Sequence, residues 1–159
     1  GLYGLGSMIL AMGIFYGGLA QIIAGIMEFK KGNTFGTAAF SSYGLFWLSL
    51  VFLLVFPRLG LALPPERASM AAYFFLWGLF TALMSLATLK RNKALQTVFI
   101  SLAVLFFLLV ISLYIPIVTR IAGIEGVFCG FSAIYLAIAE IINETYNREI
   151  LPIGVAKEN

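Results

Sequence analysis

Glu140 and Asn143 stand one helical turn apart in a stretch, residues 121–144, that is otherwise almost wholly apolar. A carboxyl in such surroundings is costly as an anion, so it either holds a proton or finds a hydrogen-bond partner on a neighbouring segment. Glu125 and Glu28 pose the same question, and all three carboxyls fall toward the ends of their apolar stretches. Glu28, Glu125 and Glu140 are the candidates for proton coupling, Glu140 the best of the three with Asn143 one turn along, whereas Glu28 adjoins Lys30 and Lys31, which favours an ion pair at the membrane surface. Gln21 is an uncharged amide seven residues before Glu28 on the same helical face; it can line a wet path or bind one helix to another.

Weaker polar groups recur at helical spacing. Tyr73, Trp77, Thr81 and Ser85 come every four residues, with Thr88 three further on, and Glu125, Cys129, Ser132, Glu140 and Asn143 keep close to a period of 3.6. Such stripes can line a narrow pore or hold helices together, and any single hydroxyl can instead bond back to its own helix. Gly13, Gly17 and Gly25, in step with Gln21, form a small-residue face along which another backbone can approach, and helix packing is their expected role.

Other chemistry is poorly served. The chain has no Asp, no His and one cysteine, Cys129, so a zinc site, a Ser-His-Asp triad and an internal disulfide all lack their parts. Neither a catalytic residue, a metal site nor a cofactor is expected, and the chain reads as a non-enzyme. The formal net charge of +3 sits in connectors, which gives no surface for nucleic acid.

The elements that must position these groups are spans of a bilayer. Residues 1–27, 32–57, 68–89 and 94–119 contain no Asp, Glu, Lys or Arg, and 62% of the chain is hydrophobic against 11% charged. About 20 apolar residues at about 1.5 Å each cross the ~30 Å hydrocarbon core. The runs are too long for membrane strands and lack their alternation, and backbone groups in lipid must be satisfied within each segment. The fold class is therefore all-α: a single polytopic transmembrane bundle over residues 1–159, with helices at about 5–28, 35–56, 69–89, 95–116 and 121–144. If the first, third and final connectors share a side, that side carries Lys30, Lys31, Lys90, Arg91, Lys93, Arg148 and Lys157, and the other carries Arg58, Arg67 and Arg120. The richer side belongs in the cytoplasm, with the C-terminus. Five helices then put the N-terminus outside, in a chain that opens Gly1-Leu2-Tyr3-Gly4 without Met, and a further helix before residue 1 is the expectation that resolves this.

The segment 12–28, followed by Lys30-Lys31-Gly32-Asn33-Thr34-Phe35-Gly36 and Ser41-Ser42-Tyr43-Gly44-Leu45-Phe46-Trp47, closely resembles the acetate uptake transporter family, the acetate and succinate permeases. The similarity continues through Ser132-Ala133-Ile134-Tyr135-Leu136-Ala137, Asn143-Glu144 and Leu151-Pro152-Ile153-Gly154. It implies six helices with a pore inside each subunit, a ring of six subunits and proton-linked passage of acetate and succinate; the short loops and uninterrupted helices point to an inner (plasma) membrane. The family's Asn-Pro-Ala-Pro-Leu-Gly-Leu segment and the helix it opens are not found in these residues. The resemblance also places a narrow hydrophobic constriction at Tyr43, Leu102 and Ala133, with Ser132 beside it; without the family, Leu102 and Ala133 would read as ordinary packing residues.

No Lys or Arg lies mid-span to trap an anion, so hydroxyls, amides and backbone N–H groups would replace its lost water. Gln21, Ser132, Thr81 and Trp77 are the candidates to line or bind along such a path. Two other readings stay open beside carboxylate transport: a channel for a small neutral solute, and a membrane scaffold or sensor whose stripes only bind helices.

Overall fold

A computed structural model describes residues 6–155. Five helices long and apolar enough to cross a membrane occupy it: α1 (Ser7–Lys30), α2 (Thr34–Val55), α3 (Arg67–Thr88), α4 (Lys93–Ser112) and α5 (Val118–Tyr146). Among the described residues the only β feature is an isolated bridge between Asn92 and Val155. Large apolar side chains cover the outer faces; Ile124 is 73% and Phe131 67% exposed. In water that would be an aggregation surface, and in lipid it is the face that the solvent requires.

The chain divides into two compact units, Gly1–Pro65 and Glu66–Asn159. In the first, α1 packs against α2. The middle of α1, Gly13–Ala20, is π-helical, flanked by α-helical Ser7–Met12 and Gln21–Lys30. Gly32 turns the chain at a φ of 72°, a left-handed conformation suited to glycine. Asn33 then caps α2: its side-chain oxygen accepts from Gly36 N at 3.1 Å, and its amide donates to the Glu28 carboxylate. Pro57 opens a short 3-10 turn, Pro57–Leu59, closed by Gly60, also at φ 72°.

In the second unit, α3 packs on α4 and α4 on α5. Asn92 caps α4 by accepting from Leu95 N at 2.7 Å. At the other end, the Arg67 guanidinium at the start of α3 lies over the Tyr114 ring of the α4–α5 turn, 5.9 Å from its centroid.

The helix ends differ from the sequence reading by one to four residues. The largest difference is at α4, which stops at Ser112 although the apolar run goes on to Ile117. Pro116 has no N–H to give and pushes Ile115 out of helical geometry, so the chain leaves through i→i+3 bonds from Leu113 N to Val110 O and Tyr114 N to Ile111 O. The start of α5 correspondingly moves forward to Val118. Leu5, where the first helix was expected to begin, lies outside the described residues, as do Gly1-Leu2-Tyr3-Gly4 and Lys157.

Candidate substrate pathway

Within the first unit the glycine face of α1 meets α2 closely enough to exclude a methyl group. A Cβ on Gly13 would stand 2.9 Å from Val51 Cγ2, one on Gly17 would stand 2.8 Å from Trp47 Cγ, and one on Gly25 would collide with the Ser41 hydroxyl. Gly18, outside the four-residue spacing, does the same against Leu48. The π-helical turns explain this: their wider winding rotates the contacting face, so neighbours 17 and 18 both reach α2. Gln21, half-buried, borders a groove of about 420 Å³ together with Met12, Tyr16, Gly17 and Trp47. Tyr43 is buried on α2, next to Gly44, which touches the α1 backbone.

Glu28 is held at the α1–α2 turn. One oxygen accepts from the Asn33 amide and the other lies 3.5 Å from Lys31 Nζ, which is the surface ion pair that its sequence neighbours suggested.

In the second unit Thr81 is fully buried on α3, and its hydroxyl donates to Trp77 O at 2.7 Å. The Ser85 and Thr88 hydroxyls likewise donate to Ala82 O and Ser85 O, at 2.7 and 2.6 Å respectively. Trp77 is half-buried, edge-on to Tyr73 and Phe80 with ring centroids 6.4 and 5.7 Å away. Thr81, Ser85 and Thr88 therefore spend their hydroxyl protons on their own helix and keep lone pairs as acceptors. Leu102 is half-buried on α4; on α5, Ala133 is exposed and Ser132 donates to Cys129 O at 2.7 Å. Glu140 is exposed near the end of α5.

Asn143 is engaged with the C-terminal segment. Its amide donates to Leu151 O at 2.8 Å, and its oxygen accepts from Ile150 N and Leu151 N at 2.7 and 2.9 Å. The Tyr135 hydroxyl donates to Pro152 O at 2.7 Å. So held, the segment offers Gly154 O to Lys93 N and Ile153 O to Ala94 N, at 2.9 and 3.0 Å, and thereby satisfies the open first turn of α4. Neither clamp could be read from spacing, since each joins residues that a sequence window does not compare. Among the described residues no three His, Cys, Asp or Glu side chains gather to hold a metal ion.

The family model described as the GPR1/FUN34/yaaH family matches residues 5–153. The chain belongs to this family. Among its relatives, the Escherichia coli succinate-acetate/proton symporter SatP is 53% identical over 156 residues, covering 97% of this chain and 83% of SatP. Acetate permease A of Emericella nidulans is 33% identical over 166 residues, covering 93% of this chain and 55% of the permease. The solved structure of the bacterial acetate channel SatP matches with a TM-score of 0.94 at 52% identity, over 97% of this chain and 86% of that one. GPR1/FUN34/yaaH relatives with such names are transporters or channels, and the all-helical, multi-pass membrane fold is shared with SatP.

Proposed function

We propose that this protein carries acetate and succinate across the inner membrane through a pore within each subunit, with protons moving alongside, and that it works as a ring of six. The observation that carries the reading is the match to SatP along nearly the whole chain in both sequence and structure. The C-terminus and the 90–93 connector belong on the cytoplasmic side. Their contact through Lys93, Ala94, Ile153 and Gly154 supports grouping their positive charges together.

In this reading Tyr43, Leu102 and Ala133 form the constriction, and Gln21, Ser132, Thr81 and Trp77 attend the path on either side of it. Hydroxyl and amide groups stabilise a passing carboxylate weakly and at several points, which suits release, whereas a buried cation would hold it. Gly13, Gly17 and Gly25 keep α1 against α2, and the exposed apolar faces meet lipid or neighbouring subunits.

The test is uptake of labelled acetate by liposomes holding the full-length protein, with and without an inward proton gradient. Saturable uptake that rises with the gradient and is blocked by succinate is expected; none from a well-folded oligomer would overturn the reading. A constriction at Leu102 predicts further that Leu102→Ala raises the uptake of lactate relative to acetate by about tenfold, the usual scale for relieving or removing a methylene-sized fit. An unchanged ratio would remove Leu102 from the constriction.

A further inference from the structure

We infer that Glu125 is the carboxyl that takes up and releases the proton accompanying the substrate, reached from the Lys93 end of α4 along the groove between α4 and α5. This rests on the proton-linked reading proposed above.

The groove holds about 370 Å³ and lies wholly within the second unit. Its α4 wall carries Lys93, Gln96, Thr97 and Ser101, and Glu125 closes it from α5. The sequence puts Glu125 near the end of its own apolar stretch, but the depth of a side chain is set by the helices around it. Glu125 borders the same groove as Ser101 and Val104, and a Cβ on the adjacent Gly126 would lie 3.7 Å from Leu105. Leu105 is about 18 Å from the Lys93 end of a helix about 30 Å long, so Glu125 stands inside the span, about 10 Å from its other end. A carboxyl at that depth is expensive unless it works, and ionisable groups within membrane spans commonly serve proton relays.

The other two carboxyls are placed differently. Glu28 is committed to Asn33 and Lys31 at a turn. Glu140 lies beyond Tyr135, whose hydroxyl already reaches the C-terminal segment that caps the first turn of α4.

The wall of the groove supplies the route. Lys93 Nζ donates to Gln96 Oε1 at 3.2 Å, and the Thr97 and Ser101 hydroxyls donate to Lys93 O and Val98 O, at 2.9 and 3.1 Å. Each hydroxyl oxygen retains lone pairs for water, and two to four polar partners are what an ordered water needs. These groups descend α4 at three- and four-residue steps and therefore share one face. Lys93 is the one ionisable side chain of α4, and Cys129 is the other titratable group beside Glu125, one turn along α5 with its thiol directed at Val98 O.

The experiment uses the full-length protein in liposomes with a pH-sensitive dye inside and labelled succinate outside, a substrate whose second carboxyl keeps it from crossing lipid unaided. Glu125→Gln is expected to lose accumulation driven by an inward proton gradient while retaining succinate counterflow at equal pH, a split that a merely structural role would not produce. Gradient-driven accumulation equal to that of the unaltered protein would overturn the proposal while leaving transport intact. Failure of the unaltered protein to transport at all would instead overturn the functional reading beneath it. Thr97→Val, at an exposed position where folding is little at risk, tests the route separately. Slower dye acidification per succinate moved is expected, and an unchanged rate would exclude this groove.

Discussion

Gly44→Ala is expected to destabilise the first unit by about 1–3 kcal/mol, the range for overpacking a close-fitted interior, and the effect should be larger than that of Gly18→Ala. The difference lies in what the added methyl meets. On Gly44 it would stand 2.7 Å from Ile22 Cγ1, 2.9 Å from Gly18 O and 3.0 Å from Ile22 N, so the α1 backbone itself must retreat. On Gly18 the obstacle across the interface is the flexible end of Leu48. In lipid no hydrophobic force holds two helices together, and close packing supplies much of what does. Thermal unfolding of the detergent-solubilised protein measures both variants. Equal midpoints for Gly44→Ala and the unaltered protein would show that α1 and α2 do not depend on this contact.

The second large effect is expected at Asn143→Ala, which removes three hydrogen bonds at once and leaves Leu151 O, Ile150 N and Leu151 N without their partner. At about 1 kcal/mol net for each, about 3 kcal/mol in all, the segment should open about a hundred- to two-hundredfold more often. The opening would be visible at a distance: Lys93 N and Ala94 N lose Gly154 O and Ile153 O, so their amide hydrogens should exchange faster by the same factor. Asn143→Asp keeps the acceptor and loses the donor, and should fall between. Unaltered protection at Lys93 and Ala94 in the alanine variant would mean that Tyr135 alone secures the segment.

Much of this architecture was legible in the sequence because lipid imposes one rule, internal satisfaction of the backbone, and charge-free runs advertise where it applies. Apolar runs placed the helix starts to within three residues, whereas the Asn33 and Asn92 caps emerged only from the structure. The overrun of α4 came from letting apolar character outweigh Pro116. Less could be read at the candidate site. Periodicity of 3.6 placed Gly13, Gly17 and Gly25 together but passed over Gly18, because π-helical winding has no compositional mark of its own. Glu125 was placed toward the end of its own apolar stretch, whereas its surroundings are decided by the turns of α4 that face it. Asn143 was paired by spacing with Glu140, yet its hydrogen bonds run to a loop that no helical period describes.

The docking of the C-terminal segment on α4 also imposes an order on synthesis. Ile153 is made sixty residues after Lys93, so at ordinary elongation rates of about 5–20 residues per second the Lys93 and Ala94 amides wait about 3–12 s for their acceptors, while Asn92 already caps Leu95 N. A nascent chain interrupted between Tyr146 and Ile153 presents the same three apolar helices of the second unit with those two amides open. Membrane proteases and insertion chaperones that sample exposed backbone would thus be given a local mark separating a finished subunit from an abandoned one.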